Sequence, residues 1–364
     1  MKQTSQRRRK VSWHRDQSAA EFFKEMAEYC ANNDAEPEYY GKGEFLQNFE
    51  QEIADLLGKE SAVFMPGGVM CQQIALRIWA DRSHCTNIAY HPSTHIEVNE
   101  HRAYSQVQRL NGIPIGGKNN PILSVDLEGC VDPLSTLVVE LPLRSVGGVL
   151  PSWDELSDLA KLARRRGIAL HLDGARLWET GPFYKRSYSE ICSLFDSVYV
   201  SFYKGLGGMA GAMLAGSAEF IAKARIWQRR LGGNLITMHP YVVSAKMGLE
   251  TRLNKMSDYH KRALSLAAAL SGISGLTIKP AIPQTNMFQI FINTDVETLK
   301  TAQSQIAEQD GIELCRAIFA SDVPNFSYTE IVVGDNTLAL SNEELVHLYT
   351  KLIASTKKPE GDGQ

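Results

Sequence analysis

The sequence predicts an α/β protein: a mostly parallel, seven-stranded-type sheet between helices in a large domain, followed by a smaller α+β domain. Three observations predict it. Short apolar or β-branched runs alternate with helix-period segments through the first two thirds of the chain. Glycine- or charge-bearing turns follow three of those runs directly. The pattern then changes from about Ser257. Strands separated by helices imply parallel pairing, with helices on both faces. In such sheets ligands sit at the carboxyl ends of strands.

The elements follow in order. Phe45, Phe49, Ile53 and Leu56 recur at helical spacing, so Phe45–Leu57 reads as a helix. Ser61–Met65 is a short apolar strand, Pro66-Gly67-Gly68 a turn, and Val69–Ala80 a second helix. Thr136–Val139 is a β-branched strand and Trp153–Arg166 an amphipathic helix. Ile168–Leu172, Ser197–Ser201 and Ala212–Ala215 read as strands, and Ala218–Arg230 as a helix. Beyond Ser257, His260–Leu270 and Glu343–Ile353 are helices, while Met287–Ile292 and Tyr328–Val333 resemble strands. The domain boundaries expected are an N-terminal tail and arm over residues 1–38 and a large domain over 39–255. A small domain over 256–356 and a disordered tail over 357–364 complete the chain.

Composition narrows the class. The 364 residues are 44% hydrophobic and 22% charged, an ordinary soluble globular profile. A net charge of -3 gives no electrostatic reason to expect nucleic acid or membrane. The one basic run, Arg7 to Lys10, reads as a solvated, mobile tail rather than a nucleic-acid arm. No apolar stretch is long enough to span a bilayer or to serve as a signal peptide, so a cytoplasmic protein is expected. The six cysteines, at 30, 71, 85, 130, 192 and 315, form no CxxC pair. Buried thiols are expected there, with neither disulfides nor a metal.

Three strand ends carry the chemistry. At Met65-Pro66-Gly67-Gly68-Val69, glycines permit close approach of a ligand, and the next helix presents unpaired N–H groups. That arrangement suits a phosphate, though on these residues alone a plain turn is the better reading. In His171-Leu172-Asp173-Gly174-Ala175-Arg176, a carboxylate at the end of a buried strand calls for a cationic partner. Arg176 could be that partner. Otherwise Asp173 pairs with a protonated ring nitrogen of a cofactor, and Arg176 grips a substrate carboxylate. In Ser201-Phe202-Tyr203-Lys204-Gly205-Leu206-Gly207-Gly208, a lysine precedes glycines that admit a planar ligand. A Schiff-base lysine must be near-neutral in its reactive form. An aspartate strand followed by a lysine strand is the chain order of the aspartate-aminotransferase-type pyridoxal-phosphate (PLP) fold. A dinucleotide-binding reading is disfavoured, because the glycines after Lys204 lack the GxGxxG frame.

From about Tyr40 to Gly233 the sequence resembles the low-specificity threonine aldolase and β-eliminating lyase branch of PLP enzymes, of fold type I. The motifs stand in the family's order. They are Tyr39-Tyr40-Gly41 with Asn48-Phe49-Glu50; Gly58-Lys59-Glu60-Ser61-Ala62; Pro66-Gly67-Gly68-Val69-Met70; and His95-Ile96 with Glu100. His171 to Arg176, Asp196-Ser197-Val198 leading to Lys204-Gly205-Leu206-Gly207, and Arg230-Leu231-Gly232-Gly233 follow. The resemblance implies that Lys204 carries the cofactor through an imine and that Asp173 pairs with the pyridine nitrogen. It further implies that His95 stacks on the ring, with Gly67, Gly68 and Val69 at the phosphate and Arg176 on the substrate carboxylate. Glu100 would orient the site or be solvated. Tyr40 would reach a neighbouring subunit's site, since the family's sites lie at a dimer interface.

Departures from the family's pattern concern the substrate side. Gly67-Gly68-Val69 stands where Ser-Gly-Thr is usual. In Glu140-Leu141-Pro142-Leu143, leucine takes the place of a histidine that contacts the substrate hydroxyl. Arg144 either contributes there or lies on the surface. The expected function is a PLP-dependent, homo-oligomeric lyase that cleaves a β-hydroxy-α-amino acid to glycine and an aldehyde. β-Elimination, or another reaction at Cα, is the alternative on the same cofactor. A non-catalytic protein of the same fold is the alternative of another class.

Overall fold

The computed structural model describes residues 8–14 and 16–357. They form two compact units. The larger comprises Gln17–Ser145 and Val149–Met256. The other takes Val146–Gly148, the described residues from Ser257 onward and those up to Asp16.

The larger unit is built on a seven-stranded sheet. Its strands in chain order are β1 (Ser61–Met65), β2 (Asn87–Tyr90), β3 (Asn111–Pro114), β4 (Thr136–Glu140), β5 (Ala169–Gly174), β6 (Ser197–Ser201) and β7 (Ala212–Gly216). In space they run β1-β7-β6-β5-β4-β2-β3. Every residue of β6 and β7 is buried, as expected of strands covered on both faces. Strands β2 to β6 pair in parallel. The expectation of parallel pairing fails at β7, which is antiparallel to both neighbours. No helix separates β6 from β7, and without a crossover the chain can only return antiparallel.

The helices that position the sheet ends are α1 (Ala19–Asn33), α2 (Glu44–Leu57), α3 (Gly68–Ser83), α4 (Trp153–Arg165), α5 (Ala218–Arg230) and α6 (His239–Arg252). Helix α4 starts at a capping box in which the Ser152 hydroxyl accepts from the Glu155 N–H, and Leu156, Leu159 and Ala163 are on its buried side. Ile74 and Ala75 of α3 share one core cluster with Tyr199 of β6, Leu214 of β7 and Phe220 of α5. Burial of Ile74, Leu214 or Phe220 contributes roughly 1.5–3 kcal/mol each. Residues 17–38, expected as part of a tail and arm, contain α1, whose Met26 packs with Val243 of α6.

The smaller unit carries a four-stranded antiparallel sheet, with Met287–Ile292 and Ser327–Val332 at its centre and Leu276–Lys279 and Ile318–Ala320 at its edges. Helices Met256–Leu270, Val296–Gln309 and Asn342–Thr356 accompany it. The basic run is not a mobile tail where it is described. Arg9 and Lys10 pair in parallel with Ile312 and Glu313, Arg9 meets Glu344 at 2.8 Å, and Val11 is fully buried. Arg7 and residues 358–364, expected as disordered, lie outside the described residues.

Candidate active site

Asp173 sits near the carboxyl end of β5, and Lys204 follows β6 by three residues. The register sets Asp173 beside Glu140 on one side and Tyr199 on the other. Two hydrogen bonds tie the turns beyond these strands together. The Trp178 indole N–H donates to the Ser201 carbonyl at 2.8 Å, and the Ser201 hydroxyl donates to the Ala175 carbonyl at 2.7 Å. The aspartate turn and the lysine turn are therefore one structural piece.

Asp173 is 1% exposed. Its Oδ1 accepts the Ala175 N–H at 3.1 Å. Burial, reinforced by the charge of Glu140, lifts its carboxyl to about 7, while Lys204 and His95 pull it down. Lys204 is partly buried. Burial, with the cation of Arg176 adding to it, lowers its ammonium to about 8 against the opposing pull of Asp173 and Glu140. The carboxyl and the amine thus feel each other's charge, and both are displaced toward neutrality.

His95 opens the short helix His95–Val98. Its Nδ1 shares a hydrogen bond with Glu100 Oε1 at 2.8 Å, and Glu100 is buried rather than solvated. The other oxygen of Glu100 has no hydrogen-bond partner. Glu140 fixes the histidine's backbone: its Oε2 accepts from the Thr94 hydroxyl at 2.9 Å and from the His95 N–H at 3.1 Å. Its Oε1 accepts the Arg144 N–H at 3.2 Å. Arg144 belongs to the same charged group, since its cation also acts on Lys204. Leu143 is fully buried beside it.

The glycine turn after β1 opens α3. A Cβ at Gly68 would stand 1.8 Å from the Tyr199 hydroxyl, so no other residue fits, whereas one at Gly67 would meet nothing within 4 Å. Tyr199 and Tyr203 meet at 3.3 Å through their hydroxyls. The Gly68 backbone interacts with the Tyr203 hydroxyl, and the N–H groups that follow it in the first turn of this 16-residue helix have no partner within the helix. Val69 is exposed.

The charged candidates Asp173, Lys204, Arg176, His95, Glu100 and Arg144 come together by these charge and hydrogen-bond links. Tyr40 does not join them within one chain. It is exposed, its N–H donates to the Ile236 carbonyl at 2.9 Å, and Arg229 lies over its ring at 5.7 Å. Sequence reasoning missed Glu179 and the ordering role of Glu140. Glu179 is 1% exposed and interacts with the charges of Arg176 and Lys204. A glutamate three residues beyond Arg176, in an otherwise apolar stretch, was the available signal.

Residues 17–293 match the family model described as β-eliminating lyase. A structure from Listeria monocytogenes EGD-E, assigned as an L-allo-threonine aldolase, superposes with a TM-score of 0.90 and 38% identity, covering 95% of this chain and 96% of that one. One from Exiguobacterium sp. 255-15, assigned as an aromatic amino acid β-eliminating lyase/threonine aldolase, does so at 0.89 and 36%, covering 95% and 97%. In sequence, the low-specificity L-threonine aldolase 1 of Arabidopsis thaliana is 28% identical over 80% of this chain and 84% of its own length.

Proposed function

The chain belongs to the β-eliminating lyase family, and from that membership we propose that it is a PLP-dependent lyase cleaving a β-hydroxy-α-amino acid of the threonine type to glycine and an aldehyde. The observation that carries the reading is the mutual electrostatic influence of Asp173 and Lys204 at neighbouring strand ends.

The residues fit the cofactor. Asp173 is a buried carboxyl held near neutrality for want of a strong cationic partner, which a protonated pyridine nitrogen would be. Lys204 is an amine whose lowered affinity for protons leaves a substantial neutral fraction near pH 7 to 8. Gly67 and the N–H groups opening α3 offer the phosphate a cradle that needs no side chain. When bound, the cofactor supplies an electron sink for the pair released at Cα.

The chain's own residues do the rest. Asp173 holds the proton on the ring nitrogen. Lys204 would hold the cofactor and would supply a base within the site. His95, held by Glu100 and by Glu140, would lie against the cofactor. Arg176 grips the substrate carboxylate and so decides which bond at Cα is weakened. Leucine at 143, where the family places a histidine that contacts the substrate hydroxyl, offers that hydroxyl no hydrogen bond, which favours a bulkier or apolar β-substituent. β-Elimination is the second reading, supported by that missing histidine.

Purified protein supplied with the cofactor is expected to release aldehyde and glycine from threonine or phenylserine. Ammonia and a 2-oxo acid in their place would move the reading to β-elimination, and no product from either substrate would end it. The reading also includes a cytoplasmic homo-oligomer. The family's sites lie at a dimer interface, and exposed Tyr40 suits one; light scattering of the holoenzyme tests it. The described residues contain no helix long and apolar enough to cross a membrane.

A further inference from the structure

Glu179 is 1% exposed, and neither of its carboxyl oxygens has a hydrogen-bond partner. Its N–H donates to the Arg176 carbonyl at 3.2 Å, so it closes the turn that begins at Asp173 and Arg176. A Cβ on Gly205 would stand 2.1 Å from its Oε1. The carboxyl is therefore packed directly on the backbone of the residue after Lys204. An acid buried without a hydrogen bond costs free energy that an apolar side chain of the same size would not, so its retention asks for a role.

Its charged surroundings name one. The charges it faces are Arg176 and Lys204, both drawing its pKa down against the stronger upward push of burial, which leaves it near 7. The Tyr188 phenol is also within its influence, and its hydroxyl donates to the Trp178 carbonyl at 2.7 Å. Lys204 in turn faces Arg176, Asp173, Glu140 and Arg144, of which Arg176 acts most strongly.

We propose that Glu179 is a positioning residue for Lys204: seated on the Gly205 backbone and facing Arg176, its carboxylate offsets the guanidinium's field. It thereby sets the pH above which the Lys204 amine is free to condense with an aldehyde. That condensation joins the amine nitrogen to the aldehyde carbon and expels water. The proposal rests on Lys204 being the cofactor lysine. In its ionised form Glu179 places a negative charge near Arg176 and Lys204, so neutralising it removes that charge and leaves the ammonium less stable.

The test is the pH dependence of the rate at which apoprotein takes up pyridoxal phosphate, followed by the visible imine band. In E179Q the midpoint is expected to fall by a few tenths of a pH unit, less than the roughly one unit of a directly paired buried charge. G205A, whose methyl displaces the carboxyl, should shift it in the same direction, and adding G205A to E179Q should shift it no further. E179D should restore part of the wild-type midpoint. An E179Q midpoint equal to that of wild type overturns the proposal, as does a G205A shift that persists undiminished in the double variant. Should E179Q not fold, G205A alone decides by the same midpoint. If wild-type protein forms no imine band, the functional reading has failed and this inference with it, a result distinct from an unmoved midpoint.

Discussion

Glu50 and Glu179 are both glutamates buried in the larger unit, yet their surroundings differ. Glu50, on α2, accepts two hydrogen bonds from Arg225, at 2.5 and 3.3 Å, and one from the Phe64 N–H at 2.8 Å. Neither carboxyl oxygen of Glu179 has a hydrogen-bond partner. The same contrast separates two histidines. His171 is fully buried with both ring nitrogens engaged, by Ser197 and Gln72 at 2.8 Å each, and burial drives its pKa down to about 3. His95 is partly exposed and its ring is held through Nδ1 by Glu100. Glu50 and His171 have completed their bonding and serve the fold. The Glu179 carboxyl and the second oxygen of Glu100, beside the strand ends, have not.

This contrast is open to attack from both sides. The largest effect is expected at Asp173. D173N should lower kcat/KM on the order of a thousandfold, the scale of a lost electrostatic partner in a closed site. It should leave apoprotein stability unharmed. The sign of the pH dependence follows from the raised pKa. Between the ordinary aspartate range and about 7 the folded state holds a proton that the unfolded state has released, so stability falls as pH rises through that window. Urea titrations of apoprotein across it should show a shallower fall in D173N than in wild type. An equal fall would mean that Asp173 is already paired.

Glu50 should respond in the opposite way. E50A strands the Arg225 side chain and the Phe64 N–H, and breaking such a pair costs about 3–5 kcal/mol when fully buried; Arg225 is partly exposed, so the lower end applies. The loss should appear as a lower urea midpoint, with cofactor uptake per folded molecule unchanged. Impaired uptake with unchanged stability would erase the distinction between the two regions.

Much of the large unit was legible in the sequence. Ser61–Met65, Ser197–Ser201 and Ala218–Arg230 coincide with β1, β6 and α5, because fully buried strands and amphipathic helices write their burial into the residue order. Strands β2 and β3 were not legible. Asn87–Tyr90 is four residues long, and Asn111–Pro114 carries a glycine and a proline tolerated only because β3 lies at the sheet edge. Helices α1, α6 and Val296–Gln309 were missed as well. In the site, Asp173, Arg176 and Lys204 were legible as candidates because each lies at or just past the carboxyl end of a strand. Glu179 and Glu140 were not assigned such roles, because the partners that give them meaning are distant in sequence. Glu140 orders Thr94 and His95 from 45 or more residues away.

The central claim is that the strand ends at 173 and 204 aim an acid and an amine at one cofactor. The most direct measurement is the visible spectrum of the protein reconstituted with pyridoxal phosphate, compared between wild type and K204A. The account predicts an imine band in wild type that borohydride fixes covalently to Lys204, and no such band in K204A. A band that survives in K204A, or label recovered on another lysine, would contradict it.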